Sequence, residues 1–225
     1  GLMLYLITLV FVKSLHELGH AFVSKYFGCR VSSIGIAFLV FFPFLYTDTS
    51  DAWRLRDHKD RLLINFAGIL TELHLALIST FLWAILPDGG LKSVAFFIAT
   101  TSWISSLAIN VSPFMRFDGY YVFSDWLKAE NLQPRSFALA RWQLREILFG
   151  FNHPPPEDLN PTRRWTFISY AWLTWVYRFF IFLGIALLVY HLAFKTLGII
   201  LFVIEIYWFI LRPIITEIKN WYNLK

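Results

Sequence analysis

The chain has 225 residues, of which 57% are hydrophobic, 20% aromatic and only 16% charged, with a net charge of +5. A soluble domain normally carries about 25% charged residues, so the composition excludes an ordinary soluble enzyme and points to a multi-pass membrane protein. The positive residues form no single basic run, which argues against a nucleic-acid partner, and the lone Cys29 excludes an internal disulfide or a cysteine-rich metal site.

Taken in chain order, five apolar stretches read as spanning or near-spanning helices, each near the roughly 20 residues a bilayer requires: about 2–27, 62–86, 92–112, 167–190 and 193–211. The chain opens on Gly1 directly in apolar sequence, which reads as a trimmed start. The first stretch lacks a basic leader region and a small-residue cleavage site, so it is not a removable signal peptide. Between the first two helices, residues 31–50 are rich in Val, Ile and Phe and interrupted by Gly35 and Pro43, the pattern of a short membrane-associated β-hairpin. After the third helix comes "SPFMRFDGYYVFSDWL", and then a mixed cytoplasmic connector, 129–165, with three consecutive prolines that stiffen it. There is no internal repeat and no insertion of domain size. The expected fold is therefore an all-α multi-pass membrane protein with about five transmembrane helices and one hairpin, forming a single domain over 1–225.

Orientation follows from the placement of Lys and Arg. Of the 20 such residues, sixteen fall beside the end of helix one, the start of helix two, the 115–165 segment and the C-terminus. Only Lys92 and Lys195 fall on the opposite side, and Lys13 and Arg178 lie within helices. The first side is expected to be cytoplasmic, with the N-terminus outside.

The motif that carries chemistry lies in the first helix, in "SLHELGH". His16 and His20, four residues apart, project from one helix face one turn apart, the spacing that offers two imidazoles to a zinc ion. Glu17 can then take a proton from a water on the metal without being a ligand, because zinc lowers that water's pKa towards about 7. The plain alternative pairs Glu17 with Lys13 at i−4. Ionisable groups inside an apolar helix are costly unless used, which favours the metal reading. Catalytic zinc takes three protein ligands. His58, His153 and His191 are badly placed for this, and Asp118 in "NVSPFMRFDGYY" is the strongest candidate. Pro113 ends helix three, and Gly119 is expected to permit an unusual backbone angle beside Asp118. From His20 or His16 to Lys25 the helix rises about 7–14 Å, so the site is expected nearer the cytoplasmic face.

With the His16-Glu17-Leu18-Gly19-His20 run in a first membrane helix, a strand-like segment, and then Asn110, Pro113, Asp118 and Gly119 in register, the chain resembles the site-2 protease (M50) family of intramembrane zinc metalloproteases. The shared second motif is Asn-Pro-x-Pro-xxx-Leu-Asp-Gly; Val111 replaces its first proline and Phe117 its leucine. The wording "FPFLYTDTSDAWRL" is similar to a bacterial branch of peptide zinc metalloproteases. The resemblance covers residues 5–130 closely. It implies one Zn2+ held by His16, His20 and Asp118, Glu17 as catalytic base, and a membrane-embedded peptide or single-pass protein as substrate in a bacterial cytoplasmic membrane. Asn110, Pro113 and Gly119 would position or support. The related proteases carry Gly-Pro-xx-Asn on the next helix; here Gly68 is kept, but Glu72 stands where the substrate-orienting Asn is expected. Glu72 is then a protonated acid, a partner of a basic side chain, or a group approaching the metal. His74 points about 200° away from Glu72 and reads as structural.

Two other enzyme classes fit less well. Di-iron hydroxylases need several histidine clusters, and a prenyl-protein-processing protease would need a later helical glutamate, for which only Glu205 is available. A non-enzymatic alternative is a zinc-binding membrane component of a peptide-export or stress-sensing assembly, although binding alone does not require Glu17.

Overall fold

The structure is a computed structural model describing residues 2–39, 42–150, 152–192 and 194–223. It is mostly helical, with one two-stranded antiparallel sheet. Helices α1 (Leu2–Tyr26), α2 (His58–Ile85), α6 (Pro161–Leu192), and α7 (Lys195–Ile206) continued through a π-helical turn into α8 (Arg212–Asn223), include four segments long and apolar enough to cross a membrane. The third expected crossing differs. Helix α3 (Gly90–Trp103) is 14 residues long and runs on as a π-helical segment, Ile104–Asn110, rather than as one regular helix. A π segment widens the turn, and such segments recur at functional sites; here it ends at Asn110, just before the turn that delivers Asp118.

The chain divides into two compact units, one ending at Glu130 and the other starting at Asn131. In the first, α1 stops where Gly28 adopts a left-handed conformation (φ 75°) and the amides of Gly28 and Cys29 close back on Lys25 and Ser24. Strands β1 (Ile34–Leu39) and β2 (Phe42–Thr47) form the expected hairpin, paired from Ile34 opposite Thr47 to Leu39 opposite Phe42. Helix α2 starts four residues before its expected position because Asp57 caps it, its carboxylate accepting from the Lys59 amide at 2.9 Å. Cys29, Ala52 and Ile64 bury a small apolar cluster with Val23, Phe27 and Leu55, which packs the 50–55 segment against α1 and α2.

The stretch after the third helix is more ordered than the composition suggests. Asp118 opens a helix, α4 (Asp118–Trp126). In the second unit, the first half of the connector is helix α5 (Leu132–Phe149), bounded by left-handed Asn131 (φ 52°) and Gly150 (φ 59°). Its amphipathic pattern is masked in the sequence by the proline run that follows. Pro161 begins α6, six residues earlier than expected, in the position where proline's missing N–H costs nothing.

Candidate metal centre

Helices α1 and α2 approach closely at two glycines. A Cβ on Gly19 would meet Thr71 Oγ1 at 2.2 Å, and one on Gly68 would meet His16 Nε2 and His20 Nε2 at 2.5 Å each. Gly68 therefore forms the floor on which the two imidazoles rest. Gly119 is needed for a similar reason and not for the unusual angle its position suggests: its φ is not positive, but a Cβ there would meet the Val111 carbonyl oxygen at 2.3 Å. The chain folds back tightly on the end of the third helix, beyond the Pro113 turn, and this close return carries Asp118 to the histidines.

The ligand atoms converge. His16 Nε2 lies 3.2 Å from His20 Nε2, and Asp118 Oδ2 lies 2.9 Å from the first and 3.4 Å from the second. Among the described residues they form the single group of metal-binding geometry. The opposite ring nitrogens have outer partners that suit the tautomer with Nδ1 protonated. His20 Nδ1–H donates to the Ile64 carbonyl at 2.8 Å, and His16 Nδ1 faces Glu72 Oε1 at 3.0 Å. In neutral rings both Nε2 atoms are then bare lone pairs. Asp118 Oδ2 is buried and accepts no hydrogen bond. Three acceptors facing one another without a proton repel, and a cation between them removes the repulsion. Donors about 2.0–2.1 Å from a tetrahedral zinc sit about 3.3 Å apart, which is the spacing found. The donor set, two imidazoles and a carboxylate, suits zinc.

Glu17 lines a cleft of about 350 Å³ together with His20, Asp118, Thr47, Asn65 and Tyr121. Strand β2 is tied to the centre, since Thr47 Oγ1 donates to the Glu17 carbonyl at 3.0 Å. The far wall is polar: Asn65 Nδ2 donates to Asp125 Oδ2 at 2.7 Å, Arg61 lies 3.5 Å from Asp125 Oδ1, and Arg61 stacks over Trp53 at 5.3 Å. Burial pushes the Asp125 carboxyl above its ordinary value, against the pull of Arg61. A somewhat larger cleft, about 420 Å³, lies in the second unit beside Trp142 and His153. Its Arg145 is held by Glu217 at 2.8 Å, and among the described residues the metal-ligating group adjoins the smaller cleft.

The remaining site residues lie behind the ligands. Glu72 is fully buried and pairs with Lys13 at 2.8 Å, a partner on another helix, so Lys13 is not spent on Glu17. Asn110, also buried, donates to Glu72 Oε2 at 3.0 Å. His74 is exposed and bonds the Leu70 carbonyl of its own helix. Lys13, Asn65, Thr47 and Asp125 were not singled out by sequence reasoning for this site. A lysine within an apolar helix is itself a signal, though its partner is not written in the spacing.

Residues 4–107 match the family model described as Peptidase family M50. Neither a curated protein nor a solved structure matches the chain.

Proposed function

We propose that this integral membrane protein, residues 4–107 of which match the model of peptidase family M50, a family of zinc-dependent membrane metalloproteases, is an intramembrane endopeptidase. It hydrolyses a peptide bond in a membrane-embedded or membrane-associated segment of its substrate, in a bacterial cytoplasmic membrane, with the site nearer the cytoplasmic face. The observation that carries this reading is the convergence of three bare acceptors, on His16, His20 and Asp118, at a cleft that also contains Glu17.

His16, His20 and Asp118 would hold the ion. Zinc bound there supplies Lewis acidity, polarising a carbonyl and bringing a water's pKa towards about 7. Glu17 takes the proton from the attacking water and returns it to the leaving amine, a role worth roughly 10² to 10⁴ in rate. Strand β2, bonded through Thr47 to the Glu17 carbonyl, offers backbone groups along which an extended substrate segment can pair. Such pairing satisfies amides that would be costly in lipid and holds the scissile bond straight.

The test replaces Glu17 with Gln, which keeps the shape and removes the proton acceptor. Quantitative comparison of membrane proteins between cells carrying wild type and E17Q should show one or more single-pass proteins accumulating uncut with E17Q. Purified E17Q should hold metal and cleave such a substrate at least about 100-fold more slowly. Equal cleavage by wild type and E17Q would reject this mechanism, and no cleavage by either would favour a zinc-binding component without proteolysis.

A further inference from the structure

Glu72 makes no use of the cleft. Its side chain is 0% exposed, and its two oxygens meet groups that include Lys13 Nζ at 2.8 Å and His16 Nδ1 at 3.0 Å on Oε1, and Asn110 Nδ2 at 3.0 Å on Oε2. The groups and the carboxylate that joins them come from three elements of the site. Lys13 and His16 lie one turn apart on α1, Glu72 is on α2, and Asn110 ends the π-helical segment that precedes the Asp118 turn. One carboxylate thus joins the three elements that frame the metal centre.

We propose that Lys13 and Glu72 form a charge-neutral positioning pair for the metal site: Glu72 holds His16 by its Nδ1–H, keeping Nε2 bare and aimed at the ion, and Lys13 supplies the counter-charge that allows a carboxylate to sit there. This rests on the metal-site reading above. The His16 ring has two nitrogens, and whichever bonds to the outer partner decides which is free for metal; without Glu72 the ring can rotate or change tautomer. His20 solves the same problem with a backbone carbonyl, Ile64 O, which brings no charge. Glu72 brings a full negative charge into a place without water, and an unmatched buried charge is strongly unfavourable. Lys13, with its side chain 28% exposed, reaches in from the edge of the bundle to match it. Asn110 fills the remaining oxygen and keeps the carboxylate plane in place. The pair therefore acts on the metal through His16 and touches neither ion nor substrate.

The experiment uses the full-length chain in detergent, stripped of metal by chelation. Zinc affinity is measured by competition with a chromophoric chelator, and Co2+ absorption reports ligand geometry. Loss of an outer partner typically costs about 10–100-fold in metal affinity, and that loss is expected for E72A and for K13M, with altered Co2+ bands. The double variant K13M/E72Q should recover to within about fivefold of wild type, because glutamine Oε1 still accepts the ring N–H and no charge is left unmatched. Wild-type affinity in both E72A and K13M would overturn the inference, as would a double variant no tighter than K13M. Should E72A fail to fold, the near-isosteric comparison of K13M with K13M/E72Q decides alone. His16→Ala separates the two claims: loss of zinc in H16A with full affinity in E72A and K13M leaves the metal site standing and removes only the pair. A wild-type chain that binds no zinc removes both.

Discussion

Adding one methyl group at Gly68 should abolish metal binding while leaving the fold nearly as stable as before. A Cβ at this position would lie 2.4 Å from His16 Cε1 and 2.5 Å from the Nε2 atoms of both histidines. Non-bonded heavy atoms prefer about 3.5–4.0 Å, so each ring must retreat by about 1 Å. Neither ring can do so freely, since His16 is held by Glu72 and His20 by the Ile64 carbonyl. Metal–ligand distances tolerate about ±0.2 Å, so the displacement is several times what zinc coordination allows. Stability responds differently. Overpacking costs about 1–3 kcal/mol, but alanine in a helix interior is favoured over glycine by about 1 kcal/mol, leaving a net loss between nearly zero and about 2 kcal/mol. The assay is zinc per chain by elemental analysis of purified G68A, read beside its thermal midpoint. Gly184→Ala is the control, because a Cβ there meets nothing within 4 Å. One zinc per chain in G68A, at wild-type affinity, would refute the claim that α2 forms the floor of the site.

His16→Ala, His20→Ala and Asp118→Ala should each lose most bound zinc by the same elemental assay, and full occupancy in D118A would remove Asp118 as third ligand. In a background lacking Cys29, single cysteines at positions 57 and 220 should label only with a membrane-permeant reagent and one at position 90 with an impermeant reagent; the reverse pattern would invert the proposed orientation. Proline placed successively at Leu45, Tyr46 and Thr47 should block cleavage at alternate positions with zinc retained, whereas intact cleavage throughout would make the hairpin a membrane plug and not a docking edge.

The parts of this protein that were legible in its sequence are those written in local spacing. The His16–His20 interval is a statement about one helix, and the Val, Ile and Phe run over 31–50 is a statement about one hairpin; neither needs a partner to be understood. Asp118 was legible because a proline and a glycine bracket it, although the glycine serves close approach and not backbone freedom. What was not legible depends on which helix faces which. Lys13 has a carboxylate one turn away, at Glu17, and the sequence offers no reason to prefer Glu72, 59 residues on, which only packing of α1 against α2 brings within 2.8 Å. Gly68 shows the same limit, since a glycine inside an apolar helix signals close approach without naming what approaches. Helix α5 escaped because amphipathic periodicity is weak beside three consecutive prolines, and the π-helical end of the third helix because a widened turn leaves no compositional mark.

A water-using centre of the kind proposed, inside an apolar bundle, would have to answer two demands at once, and the same residues answer both. Its polar atoms have to be satisfied away from water, because unpaired buried groups each cost about 1–3 kcal/mol. The Ile64 carbonyl, Glu72, Lys13 and Asn110 do this for the ring and carboxylate atoms that face away from the cleft. The inward-facing atoms, two Nε2 and Asp118 Oδ2, face only one another across 2.9–3.4 Å, which is the arrangement for binding a cation. The proposed membrane-embedded substrate would have the complementary difficulty, since unwinding a helix in lipid exposes amides with nowhere to go. The bond from Thr47 Oγ1 to the Glu17 carbonyl links the two solutions. It joins the end of β2 to the residue beside His16, so a segment paired along that strand would enter the cleft in a set register relative to Glu17. Breaking that one bond with Thr47→Val, which keeps the side-chain shape, should therefore leave zinc binding intact while loosening the choice of cleaved bond.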